Sequence, residues 1–301
     1  MDTGSDFLGT VNTSVSDGSD FLEYLPANDI THLSVVNDDY NRFIDDSNIE
    51  ASAIVCIEDD RLVCYDRGSE SLRLLSADLS VQSRINVGVR CTAMAYMKDN
   101  EVALSSKGRI MTYKIAGTEF IKQEREWNID GFITAMSFSS HKLAIFFTTR
   151  NPAGQLRIKL IDTEHHTSEV LNQTFHDIED YHFNSFRLLL TNVGVVLCDL
   201  NDHVVCINQS DGSIIWNQPV EKPSSVLLIS HPSECLLVIG PHHGNITVLN
   251  ARTGKRLTSV TGEMSIKGRN VVAVQTTMNS MVTVENKNSV CLLRKVSLQL
   301  T

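Results

Sequence analysis

Val205-Cys206-Ile207-Asn208-Gln209-Ser210-Asp211-Gly212 returns 42 positions later as Thr247-Val248-Leu249-Asn250-Ala251-Arg252-Thr253-Gly254. Each copy is a short run of β-formers followed by Asn and a turn that closes on Gly. A second, unrelated pattern keeps the same spacing: Thr92-Ala93-Met94-Ala95-Tyr96 recurs as Thr134-Ala135-Met136-Ser137-Phe138, again 42 apart. Chance explains one such match far better than two. An apolar pair followed by a small or polar residue marks the same point along the chain at Leu75, Ile115, Ile161, Ile207, Leu249 and Leu293, in steps of 40, 46, 46, 42 and 44 residues. Short strands repeating at this period predict an all-β, six-bladed β-propeller whose blades are four-stranded and antiparallel.

The strands of one unit are legible in the third, where β-rich runs at 133–138, 143–148 and 156–162 alternate with turn residues such as Asn151-Pro152-Ala153-Gly154. No window sustains an apolar stripe of helical period. The expected blades are 49–88, 89–129, 130–175, 176–220, 221–262 and 263–301, within a single propeller domain over 19–301. Residues 1–18, rich in Ser, Gly, Asp and Thr, read as a disordered tail or linker. After a third strand at 289–296 the last unit has only five residues left, too few for its outer strand. An open edge would invite association, so the strand-capable segment 21–36 is expected to close the last blade.

Composition narrows the function. A formal net charge of −10 argues against a protein whose main partner is a nucleic-acid backbone, and DNA is not an expected partner. Seven cysteines, mostly inside apolar runs and without a C-x-x-C, read as small buried hydrophobes in a reducing compartment rather than a disulfide framework. The N-terminus has neither a basic nor an apolar leader region, and no stretch reaches a membrane span of about 18 apolar residues. The expectation is a cytoplasmic, monomeric domain without membrane contact.

Two family resemblances follow from these residues. Cys206 to Trp216 resembles the blade motif of quinoprotein-type propellers: Asn208, Gly212 and Trp216 fill the pattern, with Asp211 where Thr is usual, and the next unit keeps Asn250, Thr253 and Gly254 but has Thr258 at the Trp position. These residues carry structural roles: the Gly supplies a positive-φ turn and the Trp packs between blades. Resemblance to the quinone-dependent enzymes ends there, because the chain has six units and no adjacent-cysteine pair. Unit number and length are more similar to the NHL-type propellers of tripartite-motif proteins, which recognise RNA or protein while upstream elements carry ubiquitin-ligase activity. No paired-cysteine zinc pattern or heptad run stands here to supply those elements. WD-repeat propellers are a poorer match, since no unit starts with Gly-His or ends with Trp-Asp.

The densest set of metal-ligand types, His176, Asp177 and His182, reads as a solvated loop, with edge-loop metal binding as its alternative. His165-His166 and His242-His243 are adjacent pairs, which on a strand face opposite ways and do not chelate one ion. No nucleophile elbow, phosphate loop or His-Glu-x-x-His motif is present, so no catalytic or cofactor-binding residue and no cofactor are assigned. Basic residues at Lys107, Arg109, Lys114, Lys122 and Arg125, and at Lys255, Arg256, Lys267 and Arg269, would contact RNA if they shared a face, with Lys267 and Arg269 as the residues to test. The sequence thus reads as a non-enzymatic, protein-binding scaffold or recognition propeller. An RNA-binding NHL-type domain of a tripartite-motif-like ligase and a metal-dependent hydrolase or ligand-binding propeller are the alternatives.

Overall fold

The computed structural model describes residues 33–43, 51–150, 154–171, 187–198, 202–221, 223, 225–229, 234–240, 246–260, 272–277, 280–287 and 290–300. After β1 (Leu33–Phe43), four strands form each sheet in turn. The first holds β2 (Ala51–Cys56), β3 (Leu62–Asp66), β4 (Ser71–Leu75) and β5 (Val81–Asn86). The second holds β6 (Ala93–Tyr96), β7 (Glu101–Ser106), β8 (Arg109–Ala116) and β9 (Glu119–Asn128), and the third β10 (Gly131–Ser139), β11 (Lys142–Thr149), β12 (Leu156–Asp162) and β13 (Ser168–Val170). The fourth holds β14 (Arg187–Leu190), β15 (Val195–Cys198), β16 (His203–Ile207) and β17 (Ile214–Pro219), and the fifth β18 (Ser225–Ile229), β19 (Cys235–Ile239), β20 (Ile246–Asn250) and β21 (Arg256–Val260). The sixth is β22 (Val272–Thr277), β23 (Ser280–Lys287), β24 (Val290–Leu300) and, last in order, β1. Every neighbouring pair of strands is antiparallel; no α-helix occurs among the described residues.

First strands follow one another around a ring. β2 lies against β6, β6 against β10, β10 against β14, β14 against β18, β18 against β22, and β22 returns to β2. Each interior sheet is consequently buried on both faces, which is why its middle strands read as nearly continuous apolar runs rather than alternating ones. Between the first and second sheets Tyr65, Leu72 and Leu74 pack on Met94, Leu104 and Met111. Phe146, Ile158 and Leu160 meet Leu188, Leu197 and Val205 between the third and fourth. Leu74, Leu104 and Ile158 are fully buried, each worth about 1.5–3 kcal/mol of transfer free energy.

All six marker residues sit in third strands: Leu75 in β4, Ile115 in β8, Ile161 in β12, Ile207 in β16, Leu249 in β20 and Leu293 in β24. The pairing of third with fourth strand slips at this point in three sheets. Leu74 faces Ser83 but Leu75 faces Val81; Cys206 faces Trp216 but Ile207 faces Ile214; Val248 faces Thr258 but Leu249 faces Arg256. One extra residue on the outer strand is a β-bulge, and it turns the side chains beyond it to the other face. In β17 this leaves Ile214 and Ile215 both exposed and buries Trp216.

The N-terminal strand does close the last sheet, but with shifted bounds. β1 runs from Leu33 to Phe43 and pairs antiparallel with β24, Leu33 facing Leu300 and Phe43 facing Leu292. The expected segment 21–36 overlaps it only at 33–36, and 21–32 lies outside the described residues. The reason is partner length: β24 continues to Leu300, well past the expected 296, and the strand beside it must be equally long. The polar stretch around Asp38-Asp39 is accommodated by a register shift between Asn37 and Asn41.

Candidate interaction surfaces

Antiparallel pairing sorts the loops onto two faces. Leu62 faces both Cys56 and Leu75, so the first-to-second and third-to-fourth turns share one face, here the hairpin face. The second-to-third turns and the connections between sheets occupy the other, the connector face.

On the hairpin face the residue after the marker builds the turn. The Asn208 backbone N–H donates to Ser213 O (2.8 Å), Gly212 N–H donates back to Asn208 O (3.0 Å), and Asn208 Oδ1 accepts from Ser210 N–H (2.9 Å). Asn250 repeats this with Lys255, Gly254 and Arg252. Gly212 and Gly254 take φ of 76° and 68°, a conformation costly for any residue with a Cβ. Asp162 does the same work in the third sheet, accepting from Glu164 N–H (3.0 Å) and His165 N–H (2.8 Å). A short carboxylate or amide oxygen satisfying its own turn is why Asp and Asn stand there.

Several polar contacts tie neighbouring sheets on this face. Trp216 Nε1–H of the fourth sheet donates to Ala251 O of the fifth (3.1 Å). Arg61 Nη1 of the first donates to Gly117 O of the second (2.7 Å), Asn100 Nδ2 to Glu58 Oε2 (2.6 Å), and Lys98 of the second pairs with Glu164 of the third at 3.0 Å. The ion pair is exposed and screened by solvent, so it adds little.

His165 Nδ1 lies 3.0 Å and His141 Nε2 3.5 Å from Asp162 Oδ2, with the two rings edge to face at 6.4 Å. The backbone N–H of His165, then its imidazole and the Glu164 N–H, hold the Asp162 carboxyl down to about 2, while the bond and charge of Asp162 raise His165. His166 is exposed, with φ of 55°. Among the described residues no group of three His, Cys, Asp or Glu side chains is arranged to hold a metal ion. The metal candidates His176, Asp177 and His182, the pair His242-His243 and the RNA candidates Lys267 and Arg269 lie outside the described residues.

The remaining cations scatter. Lys107 and Arg109 stand at the connector face, whereas Lys122 and Arg125 lie along β9. Lys122 and Arg109 both reach Glu126, and Arg125 lies 4.0 Å from Glu101 and 5.9 Å from the Trp127 ring centroid. Lys255 and Arg256 belong to the hairpin end of the fifth sheet. What does segregate is the charge of the turns. In the first three sheets the hairpin face carries Glu58, Asp59, Asp60, Asp78, Asp99 and Glu164 against Arg61 and Lys98. The connector face carries Arg67, Arg90, Lys107 and Arg150 against Glu70 and Asp130. Net charge hides this polarity; sorting loops by parity along the strand order would reveal it.

At the connector end of the interface between second and third sheets a groove encloses about 290 Å³. Ile129, Phe147 and Val170 are its apolar lining, and Asp130, Thr149, Gln155, Arg157 and Lys159 its polar lining. Arg157 Nη2 donates to Gln155 Oε1 at 3.0 Å.

No protein-family model and no curated protein matches the sequence. Solved structures do. The WD40 domain of Neurospora crassa Pan2 superposes with a TM-score of 0.53 at 12% identity, covering 79% of this chain and 72% of that one. BBS1N, solved in complex with ARL6DN, gives the same score and identity over 81% of this chain and 76% of its own. The chain is a β-propeller. That fold is shared with WD40 domains although the Gly-His and Trp-Asp dipeptides are missing, because the common element is a ring of four-stranded sheets. At this identity the likeness is one of fold.

Proposed function

We propose that this propeller is a non-enzymatic recognition or scaffold domain that binds a protein partner through its turns. The observation that carries the reading is the division of labour in the chain: sheets buried on both faces repeat closely, while the turns around them differ in length and charge from sheet to sheet. A rigid frame that displays variable loops suits recognition. The similarity to BBS1N, solved with a protein bound, is in keeping with it. The RNA alternative loses its support where the second unit's cations scatter between the connector face and ion pairs along β9.

Proximity labelling in cells, comparing the wild type with variants whose hairpin-face or connector-face turns are replaced by Gly-Ser, tests the proposal. A partner set lost from one variant at unchanged melting temperature, and rebinding the purified chain, is expected. No protein enriched over an unrelated propeller would overturn it.

A further inference from the structure

We infer that the groove between the second and third sheets docks an acidic peptide segment of a protein partner. One carboxylate seats between Arg157 and Lys159, and an adjoining apolar side chain rests on Ile129, Phe147 and Val170. This deepens the recognition reading above by naming the partner's chemistry.

Counting back from the third-strand marker, Lys159 and Arg157 of β12 stand two and four residues before Ile161, as Tyr113 and Met111 of β8 stand before Ile115. Residues two apart on a strand share a face. In the second sheet both positions are core: Tyr113 is 4% and Met111 7% exposed, packed against the first sheet. Val205, two before Ile207 in the fourth sheet, is 6% exposed. The first sheet has Ser71 and Arg73 at the equivalent positions, both buried, with the Arg73 charge paired to Asp66 at 2.7 Å; in the third sheet half-buried cations fill the pair, and the space left is the groove.

Two cations at core-type positions are held at a cost unless something pairs them. Among the described residues neither has a carboxylate within ion-pairing distance, and Gln155 accepts from the Arg157 guanidinium and orients it. A planar guanidinium beside an ammonium matches a carboxylate, with the remaining Arg N–H groups donating to its two oxygens. The groove opens toward the connector face, where exposed Arg67, Arg90, Lys107 and Arg150 extend the positive field over three sheets. An extended acidic segment gains from that field; Asp130, which also lines the groove, disfavours a second carboxylate beside it. The floor is aliphatic together with a Phe147 ring only 6% exposed, so it receives an apolar side chain and offers no face for stacking a base.

The test uses the whole chain and three fluorescein-labelled dodecapeptide pools read by fluorescence anisotropy: acidic residues alternating with Leu, Ile or Phe; the same with Lys and Arg for the acids; and acids alternating with Ser. The acidic–apolar pool is expected to bind about ten-fold or more tighter than either other pool. Arg157→Gln with Lys159→Gln should weaken it by about ten-fold or more, and Lys255→Glu on the opposite face should not. Arg157→Met with Lys159→Tyr, which restores the second sheet's residues, should abolish binding while raising the melting temperature. Equal binding of the acidic and basic pools, or binding that survives both double substitutions, would overturn the assignment, as would stronger competition from polyuridylate than from the Ser-containing pool. Loss of the groove with labelled partners retained removes this inference alone, whereas absence of any partner removes the recognition reading itself.

Discussion

Trp216 lies flat against Gly254 of the next sheet, so closely that a Cβ on Gly254 would fall 2.6 Å from the indole ring. The contact joins the outer strand of the fourth sheet to the turn of the fifth, and the indole N–H fixes it on Ala251 O. Gly254 is thus constrained twice, by its φ of 68° and by the ring. Gly254→Ala is expected to destabilise the domain by about 2–4 kcal/mol, from the left-handed backbone and overpacking together. In a Trp216→Leu background the same change should cost less, and the difference, measured by denaturant melts, is the coupling between the two residues. Additive effects would show that the ring does not press on the glycine.

Asp66 and Arg73 form a buried ion pair at 2.7 Å, with side-chain exposures of 1% and 8%. Asp66 also accepts from Gly68 N–H and Ser69 Oγ, while Arg73 Nε has no partner. Removing one member strands the other charge: Asp66→Ala should cost about 3–5 kcal/mol. Asp66→Leu with Arg73→Met should recover most of that loss in urea titration. If the double variant is no better than the single one, the turn bonds rather than the charge pair dominate.

Pairing of β1 with β24 along 33–43 means that the ring is closed by sequence-distant strands. Deleting 1–43 should lower the melting temperature strongly and drive concentration-dependent association through the bared β24 edge, whereas deleting 1–18 should change neither. Scanning calorimetry with size-exclusion chromatography checks both; indistinguishable truncations would contradict this closure.

The His165 imidazole should titrate above the ordinary value of about 6.5, because Asp162 favours its protonated form. Its contribution to stability is present below the unfolded-state pKa and fades as pH rises through the folded one. Asp162, held down to about 2, works in the opposite sense: its contribution is present above the unfolded carboxylate range and fades only as pH falls toward 2. Asp162→Asn should bring the His165 titration, followed by NMR of the ring protons, back down. An unchanged midpoint would show that the pair does not persist in solution.

Burial pushes the Cys206 thiol up to about 12 and raises Cys91 as well. Cys56 is half-exposed, whereas Cys64, Cys91, Cys198, Cys206 and Cys235 are buried. Native alkylation at neutral pH, mapped by mass spectrometry, should therefore modify Cys56 well before Cys64, Cys91, Cys198, Cys206 or Cys235. Early labelling of Cys206 would mean that the sheet interface opens.

The fold was legible because its signals are local. Leu75, Ile161, Ile207 and Leu249 each end or nearly end a third strand, and Ser76, Asp162, Asn208 and Asn250 make the turn that follows from their own backbone and side chains. The N-terminal closure was legible as a need, an outer strand without residues, but its bounds were not. The register of β1 is set by β24, with partners 249 to 267 positions away. The groove left a fainter trace: Arg157 and Lys159 look in sequence like an ordinary alternating strand face.

By itself, then, the sequence determined the periodic part of this protein: the unit length, the third-strand marker, the polar turn residue and the continuous apolar strands, all governed by contacts within a few residues or between equivalent positions. Tertiary structure decided what depends on which units become neighbours. Trp216 meets Gly254, Lys98 meets Glu164, and the space beside Arg157 and Lys159 opens only because the second sheet lies across from them. The polarity of the two faces belongs to the same class, since alternate turns point to opposite ends only once antiparallel strands have assembled into sheets.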